Sequence, residues 1–332
     1  MASKTLMERL FALEHRMPWL LPAISFSAGW LSFVLVQRGE SLARAIAALA
    51  LLGWPWLLIE PWLRRRLERR KERLGNIVVN FISQSLQQEL LFFSLPFLIG
   101  ATQLYAGHIL FTSIATAAAM LTTVDPWYER IIAVRAASRL TFQAYCSWLS
   151  ALVVLPIALS LPVEQALPVS LIGVAAWLVV TLPLSLYSLR HIATKFAWGV
   201  SILLAPYLMW TVRAELPAAG LAVTEARITQ TIDELNPGLA VRRLGLPDLE
   251  RGVIAYAAIR APSGLSQEVI FEWRHADHLE RIVEQIQGGR STGFRTFSRK
   301  RIFPEGAEGS WTVDVLTPDE QLLKRLRFTV EE

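Results

Sequence analysis

The residues of this chain best suited to chemistry lie between Ser83 and Phe97, in SQSLQQELLFFSLPF, where one carboxylate, Glu89, sits among amides and hydroxyls at the mouth of an apolar run. On a helix, Gln84, Gln88 and Leu91 share one face, and Ser85, Glu89 and Phe92 share the next. If that helix runs unbroken from Leu74, Glu89 lies inside a bilayer. An ionisable group there is costly unless it is paired or hydrated, and so marks a proton or ligand site. If residues 74–88 instead lie along the membrane surface as an amphipathic helix, Glu89 merely caps the next span. Asp125-Pro126-Trp127-Tyr128 ends a later apolar run on the same side, so Glu89, Asp125 and Arg130 could meet as a proton or headgroup relay. The alternative is a helix stop followed by an interfacial anchor. Gln88, Glu89 and Asp125 are therefore the candidate binding residues of the N-terminal part. Glu60 and Arg64, four apart, are expected to pair as a surface contact.

The rest of the catalytic inventory is thin. Five histidines occur, and His275-Ala-Asp-His278 is the single cluster of metal-ligand type. On a strand, positions 275 and 278 project to opposite faces, so a shared metal needs a turn between them; a polar hairpin tip is the simpler reading. The sequence holds no HExxH, phosphate loop, nucleophile elbow or paired CxxC, so no catalytic residue, metal or cofactor is assigned and the reading leans away from an enzyme. Arg295, Arg299, Lys300 and Arg301 form a basic run that would suit an anionic envelope ligand, with Arg295 and Arg299 as candidate binding residues. Alternating basic side chains also protect an edge strand from pairing with other chains.

Stepping outward to the elements that hold these residues, the chain is 332 residues long and 53% hydrophobic, with 12 Trp. Its mean hydropathy is +0.38. These values indicate an integral membrane protein. Seven apolar runs approach spanning length, at about 18–36, 42–59, 90–105, 108–124, 140–161, 169–189 and 196–210. The third and fourth are short and joined by Ala106-Gly107, which predicts a tight hairpin. Pro156, Pro183 and Pro206 predict kinks. The single Cys146 can form no disulfide within one chain. An uncleaved first span is expected after Lys4, Arg9 and Arg16.

Between Arg64 and Arg73 stands RRRLERRKER, seven basic and two acidic residues. Short loops rich in Lys and Arg stay on the cytoplasmic side. With the N-terminus inside, that cluster falls inside with Lys4, Arg9, Arg16, Arg130, Arg135, Arg139, Arg190 and Lys195, and only Arg38 and Arg44 oppose it. Seven crossings then display the C-terminus outside. Residues 1–215 carry 18 Lys and Arg against 11 Asp and Glu, whereas residues 216–332 carry 15 against 17. The positive charge belongs to loops between spans, which excludes nucleic acid as an expected partner.

After Arg213 the pattern changes to period-two alternation, and strands are expected at about 222–233, 253–260, 268–275, 278–286, 294–303, 310–316 and 322–330. Seven short strands predict an antiparallel immunoglobulin-like sandwich, without a disulfide pin and with Trp273 and Trp311 as its core aromatics. The fold class is thus a membrane all-α bundle over residues 1–215 followed by an all-β domain over 216–332.

The run Trp273 through RHADHLERIVEQIQGGRSTGFRTFSRK, with Gly309-Ser-Trp311-Thr-Val and Leu326-Arg-Phe328-Thr-Val330, resembles the bacterial domain of unknown function twenty-nine fourteen. The helical part is similar to its companion family, fifty-nine twenty-four, in Gln88-Glu89-x-Leu91-Phe92-Phe93-x-Leu95-Pro96-Phe97 and in Asp125-Pro126. Where the C-terminal domain commonly has Tyr or Trp before its Arg-Thr pair, this chain has Phe294. The resemblance implies a proteobacterial inner-membrane protein with a periplasmic β-domain, and carries no established activity. The expectation is a non-enzymatic protein of the inner membrane, in contact with the lipid bilayer, whose sandwich binds an envelope protein, glycan or lipid headgroup. A transporter or lipid-handling protein working around Glu89 and Asp125 is the alternative.

Overall fold

The computed structural model describes residues 54–70, 73–188 and 192–332, with six positions between 23 and 34. Most of the first expected span, 18–36, and most of the second, 42–59, lie outside the described residues. Long helices come first: α1 (Trp54–Arg70), α2 (Arg73–Ala101), α3 (Ala106–Thr123), a single turn α4 (Asp125–Tyr128), α5 (Ala136–Leu159), α6 (Val163–Ser188) and α7 (Ile192–Thr211). A π-helical turn, Glu129–Ala133, joins α4 to α5. Three of these, α3, α5 and α6, are long and apolar enough to cross a membrane.

The third expected span is the far half of one unbroken helix. α2 runs 29 residues, about 43 Å at the standard rise, and neither the amide-rich stretch nor Pro96 interrupts it. Ser94 Oγ donates to the Leu90 carbonyl within the same helix at 2.7 Å. The hairpin to α3 turns through residues 102–105, where Tyr105 N–H meets Gln103 O at 2.7 Å. Ala115 and Ala119 are buried on α3 against α2 and α5, where small side chains let helix backbones approach. α5 is the central helix: 72% of its apolar window is buried, against 28% for α3 and 39% for α6.

Helices alternate in direction, so the start of α2, the end of α3 and the start of α5 share one end of the bundle. The α2–α3 turn, the α5–α6 turn and the end of α7 share the other, and the β-domain is built there. Ser160 Oγ donates to Ser263 O at 3.2 Å, and the Val163 N–H donates to Gln267 Oε1 at 2.8 Å. Val163 belongs to the same apolar cluster as the β-domain core. The basic stretches 64–70 and 130–139 lie at the end away from the β-domain.

Among the described residues, eight of ten strands form two main sheets. β1 (Ala222–Thr229), β5 (Val253–Arg260) and β8 (Phe294–Lys300) form one, in the order β1-β5-β8. β4 (Arg243–Gly245), β10 (Leu322–Glu331), β9 (Gly309–Leu316), β6 (Ser266–His275) and β7 (His278–Gln287) form the other, in that order. All pairs are antiparallel except β4 with β10. A two-residue ribbon, β2 (Ile232–Asp233) with β3 (Asn236–Pro237), splits the strand expected at 222–233. Between the main sheets lie Val253, Ala255, Ala257 and Ile259 from one side and Val269, Phe271, Trp273, Trp311 and Phe328 from the other. Trp273 and Trp311 are fully buried, as their sequence positions suggested. β5 departs from simple alternation: Ile254, Tyr256 and Ala258 are buried on its second face as well. β7, at a sheet edge, alternates between exposed and half-buried along most of its length.

Candidate functional site

At the end of the bundle away from the β-domain, four α2 side chains spaced three, four and seven residues apart lie on one face and bond to other helices. Arg64 Nη1 donates to Asn80 Oδ1 at 2.6 Å, and Trp56 Nε1 donates to Ser83 Oγ at 3.2 Å. Gln84 Nε2 donates to Thr122 O at 3.0 Å and to Asp125 Oδ1 at 2.8 Å. Gln87 Nε2 donates to Gln143 Oε1, while Tyr128 O–H donates to Gln87 Oε1 at 2.8 Å. Amides buried between apolar helices act as interhelical glue. Glu60 and Arg64 pair as their spacing implied, at 2.6 Å, but inside the bundle and not at its surface, with each side chain 10% exposed.

This arrangement separates the sequence candidates. Gln88 is buried, whereas Glu89 is exposed, off the bonded face. Asp125 is exposed and accepts from Gln84. Among the described residues no bond joins Glu89 to Asp125 or Arg130. Tyr128 is buried and Trp127 is 57% exposed. His108 lies at the opposite end of α3 from Asp125, about 25 Å away along the helix axis.

The second constellation lies at the seam between bundle and β-domain. A cavity of about 610 Å³ is lined by Gln103, Leu104 and Tyr105 of the α2–α3 turn, by residues 226–228 and 240–242, and by Leu322 and residues 324–327 of β10. Its walls carry five cations: Arg227, Arg242, Lys324, Arg325 and Arg327. Two are engaged. Arg227 pairs with Glu225, and Arg325 holds Asp314 through Nε and Nη2, both at 2.7 Å. Among the described residues no acidic side chain pairs with Arg242, Lys324 or Arg327. Tyr105, at the cavity edge, donates its hydroxyl hydrogen to Glu215 Oε1 at 2.8 Å. Gly107 makes room for that carboxylate: a Cβ there would lie 1.8 Å from Glu215 Oε2.

Behind the seam, ion pairs brace the five-stranded sheet. Asp314 is fully buried and also accepts from Arg274. Glu272 bonds Arg281 at 2.6 Å and Arg274 at 3.0 Å. Its hydrogen bond, with that of Glu320, raises the Arg281 guanidinium above its ordinary value. The bond to Asp314 does the same for Arg325. Near the end of α7, burial pushes the Asp319 carboxyl up and nearby Glu164 adds to the rise, while Arg213, 3.8 Å away, opposes it.

The remaining candidates are elsewhere. Arg295 and Arg299 lie on β8, an edge strand; Arg295 Nη1 donates to Asn236 Oδ1 at 2.7 Å and Arg299 is exposed. Lys300 is buried against Glu280 and lies 5.7 Å from the centre of the Trp311 ring. His275 and His278 face each other across a hairpin. The ring nitrogens of His275 lie against carbonyl oxygens of Ser310 and Gly306, at 3.2 and 3.1 Å, and the ring stacks on Trp311 at 4.5 Å. No group of three or more metal-ligating side chains forms among the described residues.

Sequence reasoning missed the seam cations. Their signal was present in the Lys324-Arg325-x-Arg327 spacing of the last strand, but Arg242 comes from a loop about eighty residues earlier, and only folding brings it near.

Residues 1–255 match the model of a family of unknown function (DUF5924), and residues 266–330 match that of a protein of unknown function (DUF2914). No curated protein and no solved structure matches the chain. The boundary between the two matches falls inside the β-domain. β1 to β5 lie in or at the edge of the first match and β6 to β10 in the second, yet β5 pairs with β8 and β4 with β10. Neither match alone contains a complete sandwich.

Proposed function

This chain belongs to the DUF5924 family, and from that premise we propose a non-enzymatic inner-membrane protein of bacteria that binds an anionic envelope ligand in the seam between its helical bundle and its β-domain. The observation that carries this is the seam cavity, lined by three cations, Arg242, Lys324 and Arg327, that have no acidic partner among the described residues. A concave site with a few converging polar groups is the usual form of a ligand site, and guanidinium with ammonium suits phosphate or carboxylate. The ligand class is the one expected of the sandwich, but the binding residues become Arg242, Lys324 and Arg327 in place of Arg295 and Arg299.

The accompanying topology is seven crossings, with the N-terminus in the cytoplasm and residues 216–332 in the periplasm. It is supported by the clustering of the basic stretches 64–70 and 130–139 at the end opposite the β-domain. An immunoglobulin-like sandwich is supported by sheet orders that parallel the A-B-E and A′-G-F-C-C′ arrangement, and by Trp273 buried on the strand equivalent to C. A C-terminal alkaline phosphatase fusion is expected to be active and a green fluorescent fusion dark; the reverse pattern removes the periplasmic assignment. For the site, full-length protein in non-ionic detergent is titrated with glycerol phosphate. Arg242→Gln/Lys324→Gln/Arg327→Gln should lose at least tenfold in affinity, and equal affinity would refute the seam.

A second reading, transport or lipid handling near Glu89 and Asp125, draws its support from the buried Glu60–Arg64 pair and the amide layer beside it, since buried charge among apolar helices marks a candidate functional site. Under it, Glu89→Gln should abolish flux; under the seam reading that change leaves ligand capture intact.

A further inference from the structure

We infer that the seam ligand is an anionic diacyl phospholipid, with one acyl chain held between the helices. This rests on the seam reading and names its ligand. A second cavity, of about 570 Å³, lies between α3, α5, α6 and α7, walled by side chains such as Leu110, Ile114, Leu178, Ile202 and Met209. It adjoins the seam: Gly107 and Glu215 line it, and Glu215 accepts the hydrogen bond from Tyr105 at the cationic cavity. One ligand crossing that boundary would meet positive charge on one side and hydrocarbon on the other, the profile of a phospholipid and not of a free anion.

The apolar wall contains two donors without acceptors. Trp148 is only 5% exposed, and among the described residues neither its Nε1 nor the buried hydroxyl of Tyr145 has a hydrogen-bond partner. A buried donor left unmade is destabilising and needs an explanation. Depth supplies it. Phe111, one turn into α3 from Gly107, meets the Trp148 ring edge-on at 5.9 Å, so the indole lies about 6 Å from the α2–α3 turn by the rise of α3. Ester carbonyls sit at that kind of depth below a phosphate held at Arg242, Lys324 and Arg327. Acyl esters are acceptors only, and so match indole and phenol donors. Both the bundle and the β-domain contribute to this site, which accounts for the docking of the sandwich on the helices.

The test uses the full-length protein in non-ionic detergent, with binding read by native mass spectrometry. The probes are long-chain phosphatidylglycerol, long-chain phosphatidylcholine and glycerol phosphate. Phosphatidylglycerol is expected to bind at least tenfold more tightly than either other probe. Ala144→Phe, which fills the groove, should reduce phosphatidylglycerol binding tenfold and leave glycerol phosphate unchanged. Trp148→Phe, which keeps the volume and removes the donor, should weaken the lipid about threefold. Circular dichroism and melting temperature confirm that both variants are folded. Should glycerol phosphate bind as tightly as phosphatidylglycerol, with both variants silent, the lipid inference falls while the anion seam stands. If no anionic probe binds the wild-type protein, the seam reading falls and the lipid inference with it.

Discussion

Replacing Asp314 with Asn is expected to weaken the β-domain and strengthen the seam in one step. The carboxylate is fully buried and takes two 2.7 Å bonds from Arg325 and a further one from Arg274. Removing one partner of a fully buried pair costs about 3–5 kcal/mol. Here the arginine side chains are 34% and 43% exposed, so water recovers part of that cost, and Asn keeps one acceptor. The expected loss is about 1.5–2.5 kcal/mol, a melting shift of roughly 5–10 °C for a β-domain of this size. The assay is thermal unfolding of the full-length protein in detergent, followed by tryptophan fluorescence, to which the core residues Trp273 and Trp311 contribute. Arg325 also lines the seam. Released from Asp314, it should raise affinity for glycerol phosphate up to roughly fivefold, the equivalent of about 1 kcal/mol for a partly exposed ion pair. Adding Arg325→Gln should cancel that gain. A shift of less than about 2 °C, or an unchanged affinity, would refute the argument that this carboxylate both braces the sheet and holds a cation away from the ligand.

Gly107→Ala should push Glu215 away and break its bond to Tyr105, because the added Cβ would overlap the carboxylate; a destabilisation larger than the ~1 kcal/mol of Tyr105→Phe is expected in chemical denaturation. Tyr128→Phe should cost about 1 kcal/mol, while Gln143→Ala, which strands the Gln87 amide in an apolar layer, should cost about 1–3 kcal/mol, both read by melting temperature. Asp319 should give a signed pH effect. Its carboxyl is raised in the folded protein, so the native state holds more protons than the unfolded one between the ordinary carboxylate range and the raised value. Its contribution is therefore present below the unfolded value and is lost as pH rises through the folded one. Asp319→Asn should accordingly gain stability relative to wild type as pH climbs from acid toward neutral, and a difference that stays constant across that range would contradict the assignment.

Particular residues mark how far the sequence could be read. The runs 108–124, 140–161, 169–189 and 196–210 appear as helices α3, α5, α6 and α7 within a few residues, because apolar run length is a local property. Strands 253–260, 278–286 and 310–316 were legible for the same reason, and Trp273 and Trp311 announced themselves as core by size and alternation. The amide stretch was harder. Helical spacing grouped Gln84 with Gln88 and Ser85 with Glu89, but the face that bonds is Asn80, Ser83, Gln84 and Gln87. Which face turns inward depends on the helices beside it, and no local pattern encodes that. β4 was missed because three residues are too few to show a period, and it is held by its parallel pairing with β10.

Hydrophobic run length, basic loop asymmetry and the change to period-two alternation after Arg213 were determined by the sequence alone, since each is written in neighbouring residues. Tertiary structure decided that Glu60 and Arg64 pair inside the bundle, that the β-domain sits against the α2–α3 turn, and that Arg242 joins Lys324 and Arg327 around one cavity. Those outcomes depend on contacts between residues tens to hundreds of positions apart, whose free energy exists only once the intervening chain has packed.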